Sequence, residues 1–198
     1  MPYDELEELA DKARELEKQG DLQGALDCHL KILETYPDDL VLVFNAHGYI
    51  ADLYMRLERP EDAQRHLELG IALNATDAAY YYALGKAHRM QNDYEGAAKA
   101  FAAASRMMPE HPELHRAHGA ALLALGRLDE AETAFLAAYH ILPQDPATMT
   151  GLIAILARRG RLEEAEKLLA SAFESAPDDP MLRHTQEALR RLRAGATA

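Results

Sequence analysis

The sequence predicts an all-α protein built as a solenoid of stacked helix pairs, and three observations predict it. The 198 residues are 48% hydrophobic, only 7% aromatic and without Trp, with abundant Ala, Leu, Glu and Arg, a composition that favours helix. Apolar residues recur at helical spacing along most of the chain. The chain also repeats itself. Ala63, Ala97, Ala131 and Ala165, in "PEDAQRHL", "YEGAAKAF", "LDEAETAF" and "LEEAEKLL", follow one another at intervals of 34 residues, and Ala25 of "LQGALDCH" lies 38 residues before the first.

Each period encodes two amphipathic helices of about a dozen residues. A turn residue stands five positions before each of these alanines, at Gly20, Glu58, Asn92, Gly126 and Gly160. The glycines among them can take the left-handed conformation that ends the first helix of a pair. Proline follows the alanine by twelve at Pro37, Pro109, Pro143 and Pro177, with Ala75 the exception. Asp145-Pro146 and Asp179-Pro180 supply an N-cap and then a proline at the first helical position, where no donor is lost. One such pair cannot bury its apolar face alone, so the pairs must stack. The segment "PMLRHTQEALRRLR" predicts an eleventh helix. Met181, Leu182, Ala188, Leu189 and Leu192 are expected to cover the last pair, Arg183, Arg190, Arg191 and Arg193 to face water, and residues 195–198 to fray.

The stretch "PDDLVLVFNAHGYIADLY" breaks the period. The four residues in excess are Leu40, Val41, Leu42 and Val43, followed by Phe44. Four residues make nearly one helical turn, so the helix is expected to start a turn early, capped by Asp38 or Asp39, without rotating its buried face. Its first turn then either packs on the preceding loop or offers Leu40–Phe44 as an apolar contact patch.

The period and these positions resemble the tetratricopeptide repeat family. Five repeats match, at about 6–39, 44–77, 78–111, 112–145 and 146–179, with a capping helix at about 180–194, and the whole of 1–198 is read as one domain. The resemblance implies a right-handed α-solenoid. Small residues fall where the two helices of a repeat approach, at Gly85 and Ala97 and at Gly119 and Ala131. Ile153 and Ile32 depart from that pattern and are expected to loosen packing at both ends. The resemblance further implies that the first helices of the repeats line a groove holding a peptide or helical segment. The groove residues it points to are Arg14, Asn45, Asp52, Met55, Arg56, Tyr82, Lys86, Arg89, Met90, Arg116, Leu123 and Arg158. The groove positions together carry seven bases and four acids in a chain of net charge −12. The subfamily signatures of a carboxylate clamp or an asparagine ladder are absent: Ala10 and Arg14 stand where the clamp needs Lys and Asn.

Charge narrows the partners. Residues 1–79 carry 7 Lys/Arg against 18 Asp/Glu, whereas residues 80–198 carry 14 against 15. That balance disfavours nucleic acid and anionic membrane. A single cysteine, Cys28, allows no internal disulfide, and the charged start and the lack of a long apolar run lead us to expect a cytoplasmic protein without membrane insertion. Phosphate-loop, dinucleotide and zinc-protease motifs are missing, so no enzyme activity and no cofactor is expected. His111, His115 and His118 are the weak metal candidates, at positions better explained as packing residues. The expectation is therefore a non-enzymatic adaptor whose groove takes an acidic segment with an apolar anchor. A self-assembling scaffold and a small secretion-type chaperone are the alternatives.

Overall fold

The computed structural model describes residues 4–196. Among them run eleven helices and no strand: α1 (Asp4–Gln19), α2 (Leu22–Thr35), α3 (Leu40–Arg56), α4 (Pro60–Leu73), α5 (Ala78–Met90), α6 (Tyr94–Met107), α7 (Pro112–Ala124), α8 (Leu128–Ile141), α9 (Pro146–Arg158), α10 (Leu162–Ser175) and α11 (Pro180–Ala196). They fall into two compact units, the first ending at Met107 with α1–α6 and the second starting at Met108 with α7–α11. In each unit the helices pack in consecutive pairs, as the repeat predicts. Residues 197 and 198 of the expected frayed tail lie outside the described residues, and 195 and 196 belong to α11.

The turn inside every pair has one geometry. Gly20, Gly126 and Gly160 have φ of 82, 75 and 73°, and Glu58 and Asn92 take the same left-handed backbone at 58 and 59°. The next amide reaches back to close the helix: Arg59 N–H donates to the Tyr54 carbonyl at 2.8 Å and Arg127 N–H to that of Leu122 at 3.0 Å. The second helices α4, α8 and α10 then start on an arginine whose side chain folds onto an acid three residues on. Arg59 pairs with Asp62, Arg127 with Glu130 and Arg161 with Glu164, each with a 2.7 Å bond. The first helices α3, α5 and α9 begin instead with an aspartate cap: Asp39 accepts from Leu42 N–H at 3.1 Å, Asp77 from Ala79 at 2.8 Å and Asp145 from Thr148 at 3.0 Å.

Aromatic rings seat in glycine gaps. A Cβ on Gly85 of α5 would lie 2.5 Å from the Phe101 ring of α6, and one on Gly119 of α7 would lie 2.9 Å from the Phe135 ring of α8. The Phe135 ring also covers Gly151 of α9, and Tyr80 of α5 lies on Gly70 of α4. The same two register positions hold Ala51 and Leu67 in repeat two and Ile153 and Leu169 in repeat five, all buried. Volume is traded across the pair: a large ring faces glycine, and a leucine faces alanine or isoleucine. The expected loosening at Ile153 does not occur. Its side chain is fully buried and joins Leu169 and Leu182 in one core cluster, and Ile32 is buried as well.

α3 starts a turn early, with Asp39 as its cap. Its first turn divides. Leu40 and Val41 are 64% and 69% exposed, whereas Leu42, Val43 and Phe44 are half-buried. Phe44 stacks on Tyr80 with ring centroids 4.5 Å apart, and its carbonyl accepts from the Tyr80 hydroxyl. That burial pushes the Tyr80 phenol up to about 12. In α11 only Leu182 and Leu189 of the five expected covering residues are buried, with Thr185 between them. Met181 and Leu192 are 47% and 52% exposed, and Ala188 is exposed too. α11 packs on both α9 and α10, and this fixes its buried stripe at 182, 185 and 189, turning Ala188 and Leu192 aside.

Two outcomes test this packing by urea unfolding. Gly85→Ala is expected to cost about 1–3 kcal/mol by overpacking, and adding Phe101→Leu, which recreates the Ala51/Leu67 pair, should restore most of it. Glu58→Gly should stabilise by about 0.5–1 kcal/mol, because its left-handed backbone strains any residue with a Cβ.

Candidate binding surface

Each unit has a cleft, and of the residues assigned to the groove Arg14 and Asn45 line the first and Arg158 the second. In the first unit α1 contributes Leu6, Ala10 and Arg14, one turn apart, and α3 contributes Leu42, Asn45 and Tyr49. His29 and Ile32 of α2 form the floor of this cleft of about 280 Å³. His29 stacks on Tyr49 with centroids 5.0 Å apart and planes within 15°. Burial holds the His29 imidazole below its ordinary pKa, with Glu17 opposing.

In the second unit Thr150, Ala154 and Ala157 of α9 face His184, Ala188 and Leu192 of α11 across a cleft of about 290 Å³. Ile153 and Leu189 form its floor. The small alanines leave room for a bound chain to approach both helices closely. Among the described residues the buried Thr150 hydroxyl finds no hydrogen-bond partner. The part played by α11 was readable in principle: His184, Ala188 and Leu192 stand one 34-residue period after Thr150, Ala154 and Arg158. Treating α11 only as a cap hid it.

Geometry reduces the groove's positive charge. Arg14 lies 2.5 Å from Asp11, Arg56 2.5 Å from Glu17 and 3.6 Å from Asp52, and Arg116 3.6 Å from Asp145. These pairs are exposed and contribute little stability, but each cancels a charge. Lys86 and Arg89 have no acidic partner among the described residues. Lys86 Nζ lies 5.8 Å from the centre of the Tyr82 ring, which packs edge-wise on Phe101 at 5.6 Å. Arg89 is exposed and Met90 beside it is 40% exposed, whereas Met55 is half-buried against the core. In the second unit Arg158 is exposed and donates to the Leu123 carbonyl at 2.6 Å. At the groove positions, the cations without an acid partner among the described residues are therefore Lys86 and Arg89 in one unit and Arg158 in the other. Lys86 and Arg89 belong to the first unit, and Arg116 and Leu123 to the second.

The three candidate metal histidines have other surroundings. His111 is the exposed N-cap residue of α7, and His115 Nε2 lies 2.8 Å from the Pro109 carbonyl. Among the described residues no three His, Cys, Asp or Glu side chains converge as a metal site would need.

Two sequence models, both described as tetratricopeptide repeat, match the chain: one over residues 50–106 and 82–146, the other over residues 134–189. The chain belongs to the tetratricopeptide repeat family. Solved structures agree on the fold. MamA is 23% identical with a TM-score of 0.77, over 88% of this chain and 93% of that one. YrrB, a tetratricopeptide repeat protein with an unusual peptide-binding site, is 21% identical with a TM-score of 0.75, over 90% of each chain. A tetratricopeptide repeat protein from Parabacteroides merdae is 17% identical with a TM-score of 0.86, over 96% of this chain and 74% of that one. Comparison with curated proteins gives no match. No helix among the described residues is long and apolar enough to cross a membrane.

Because Lys86 and Arg89 support no ion pair, Lys86→Gln and Arg89→Gln should each leave the thermal midpoint unchanged within about 0.5 kcal/mol of stability. That outcome in a melting experiment makes both sites clean probes of binding.

Proposed function

We propose that this tetratricopeptide repeat protein is a non-enzymatic protein-interaction module whose groove helices take an acidic segment bearing an apolar anchor. The observation that carries the reading is that each unit holds both an apolar cleft and a groove cation without an acid partner among the described residues. These cations are Lys86 and Arg89 in the first unit and Arg158 in the second, in a chain of net charge −12. Charge on the groove would orient a partner and raise its on-rate, while burial of its apolar side chains would supply affinity. The exposed Met90 and the Tyr82 ring add adaptable contact area. The peptide-binding site of the structural neighbour YrrB is consistent with this reading.

A second reading, self-association, is favoured by one observation: Leu40 and Val41 are 64% and 69% exposed on the first turn of α3. Replacing both by Gln should abolish any concentration-dependent dimer seen in sedimentation if that turn is the contact.

Panning a random peptide display library against the protein tests the main reading. Enrichment of sequences pairing Asp or Glu with Leu or Phe is expected. A Lys86→Glu/Arg89→Glu variant should then bind the selected peptide at least ~10-fold more weakly, about 1.4 kcal/mol, with a smaller salt dependence. Ala188→Phe, which fills the second cleft, should weaken any peptide anchored there without unfolding the chain. Selected peptides that are basic, or binding indifferent to all these changes, would overturn the reading.

A further inference from the structure

Repeat two contains a histidine pair that the groove does not use. His47 of α3 and His66 of α4 face each other with their Nδ1 atoms 2.9 Å apart and ring planes at 53°. His47 is 7% exposed and His66 is half-buried. Such a contact holds one proton. One ring donates its Nδ1–H, and the other accepts on Nδ1 and keeps its own hydrogen on Nε2. A first added proton goes to Nε2 of the donor ring; the bond survives, but a positive charge now sits between α3 and α4. A second goes to Nδ1 of the acceptor, so two N–H groups point at each other and the bond is lost.

The surroundings do not welcome either charge. Tyr54 of α3 packs on His66 with centroids 5.5 Å apart, and the Arg59 guanidinium covers Tyr54 at 4.7 Å. On α4, Asp62 and Arg65 lie within the turn preceding His66, and the Asp62 carboxylate is already shared by Arg59 and Arg65. On α2, His29 is buried against Tyr49 of α3. From α5, Tyr80 packs on Gly70 of α4 and Gln91 bonds to Gln64. Burial first, then His47 and Arg65, push the His66 imidazole down to about 4 against the pull of Asp62, and burial lowers His47.

We propose that the His47–His66 pair is a proton-sensitive latch: in neutral solution it holds α3 against α4, and mild acid loosens that helix pair. α3 also supplies Leu42, Asn45 and Tyr49 to the cleft of the first unit, so release of the latch alters that cleft. The device stands whether or not the cleft binds a peptide. Both histidines hold protons less well in the folded chain than the ordinary 6.5, so the unfolded chain binds more protons between about pH 4 and pH 6.5. The stability they contribute is complete above that window and is lost as pH falls through it.

Histidine ring NMR on the intact chain, with urea unfolding at about pH 7.5 and about pH 5, tests the latch. His66 is expected to titrate more than one unit below an ordinary histidine, and its protonation should shift the His47 ring signals. Native-state hydrogen exchange in acid should rise in α3 and α4 and stay unchanged in α7–α11. His66→Gln, which keeps a neutral hydrogen-bonding side chain, should remove at least half of the acid-induced fall in the urea midpoint. His111→Gln, exposed and in the second unit, should not. His47→Gln serves the same purpose if His66→Gln fails to fold. Ordinary titration of His66, or an unchanged acid response in both pair variants, would overturn the proposal.

Discussion

Close approach of two helices at a residue without a side chain is the constraint on which each unit depends. A helix pair of this length has an apolar stripe too large to leave in water and too narrow to form a core alone. The Phe135 ring resolves this by lying on Gly119 of its own repeat and Gly151 of the next, so one side chain closes a pair and joins it to its successor. Tyr80 acts similarly one pair earlier, on Gly70 and against Phe44. The residue that fills each gap and the gap itself vary together, which is why Ile153 facing Leu169 packs as well as Gly85 facing Phe101.

Electrostatics serves the fold before it serves a partner. Arginines open α4, α8 and α10 by folding onto acids in the first turn, and aspartates cap α3, α5 and α9. Arg159, the C-cap residue of α9, ties back to Glu132 of α8 at 2.7 Å. Of the seven basic residues at the groove positions, four, Arg14, Lys18, Arg56 and Arg116, are likewise engaged with neighbouring acids. The few left over, Lys86, Arg89 and Arg158, carry information that a charge count cannot give, because formal charge and available charge differ wherever an acid lies one helical turn away.

Histidines are distributed by the same logic. His29 and His47 are buried in the first unit, and His66 packs with His47, whereas His111 is exposed in the second. A buried neutral imidazole packs like an aromatic ring until it is protonated, so the first unit's cohesion is tied to solution pH through groups that carry no charge when the protein is at its most stable.

The sequence by itself determined the repeat, the helix pairs, a turn at all five positions with left-handed backbone at its three glycines, and the early start of α3, because each depends on contacts within a few residues of the chain. The resemblance to the family assigned helix positions to a groove, and the 34-residue period carries that assignment from one repeat to the next. Only the tertiary structure decided which charges remain available, that Leu40 and Val41 stay exposed while Phe44 packs on Tyr80, that Ala188 and Leu192 line a cleft rather than cover a core, and that His47 meets His66. Those outcomes depend on distances between side chains on different helices, and a one-turn rotation or a different rotamer changes them without changing the pattern that the sequence displays.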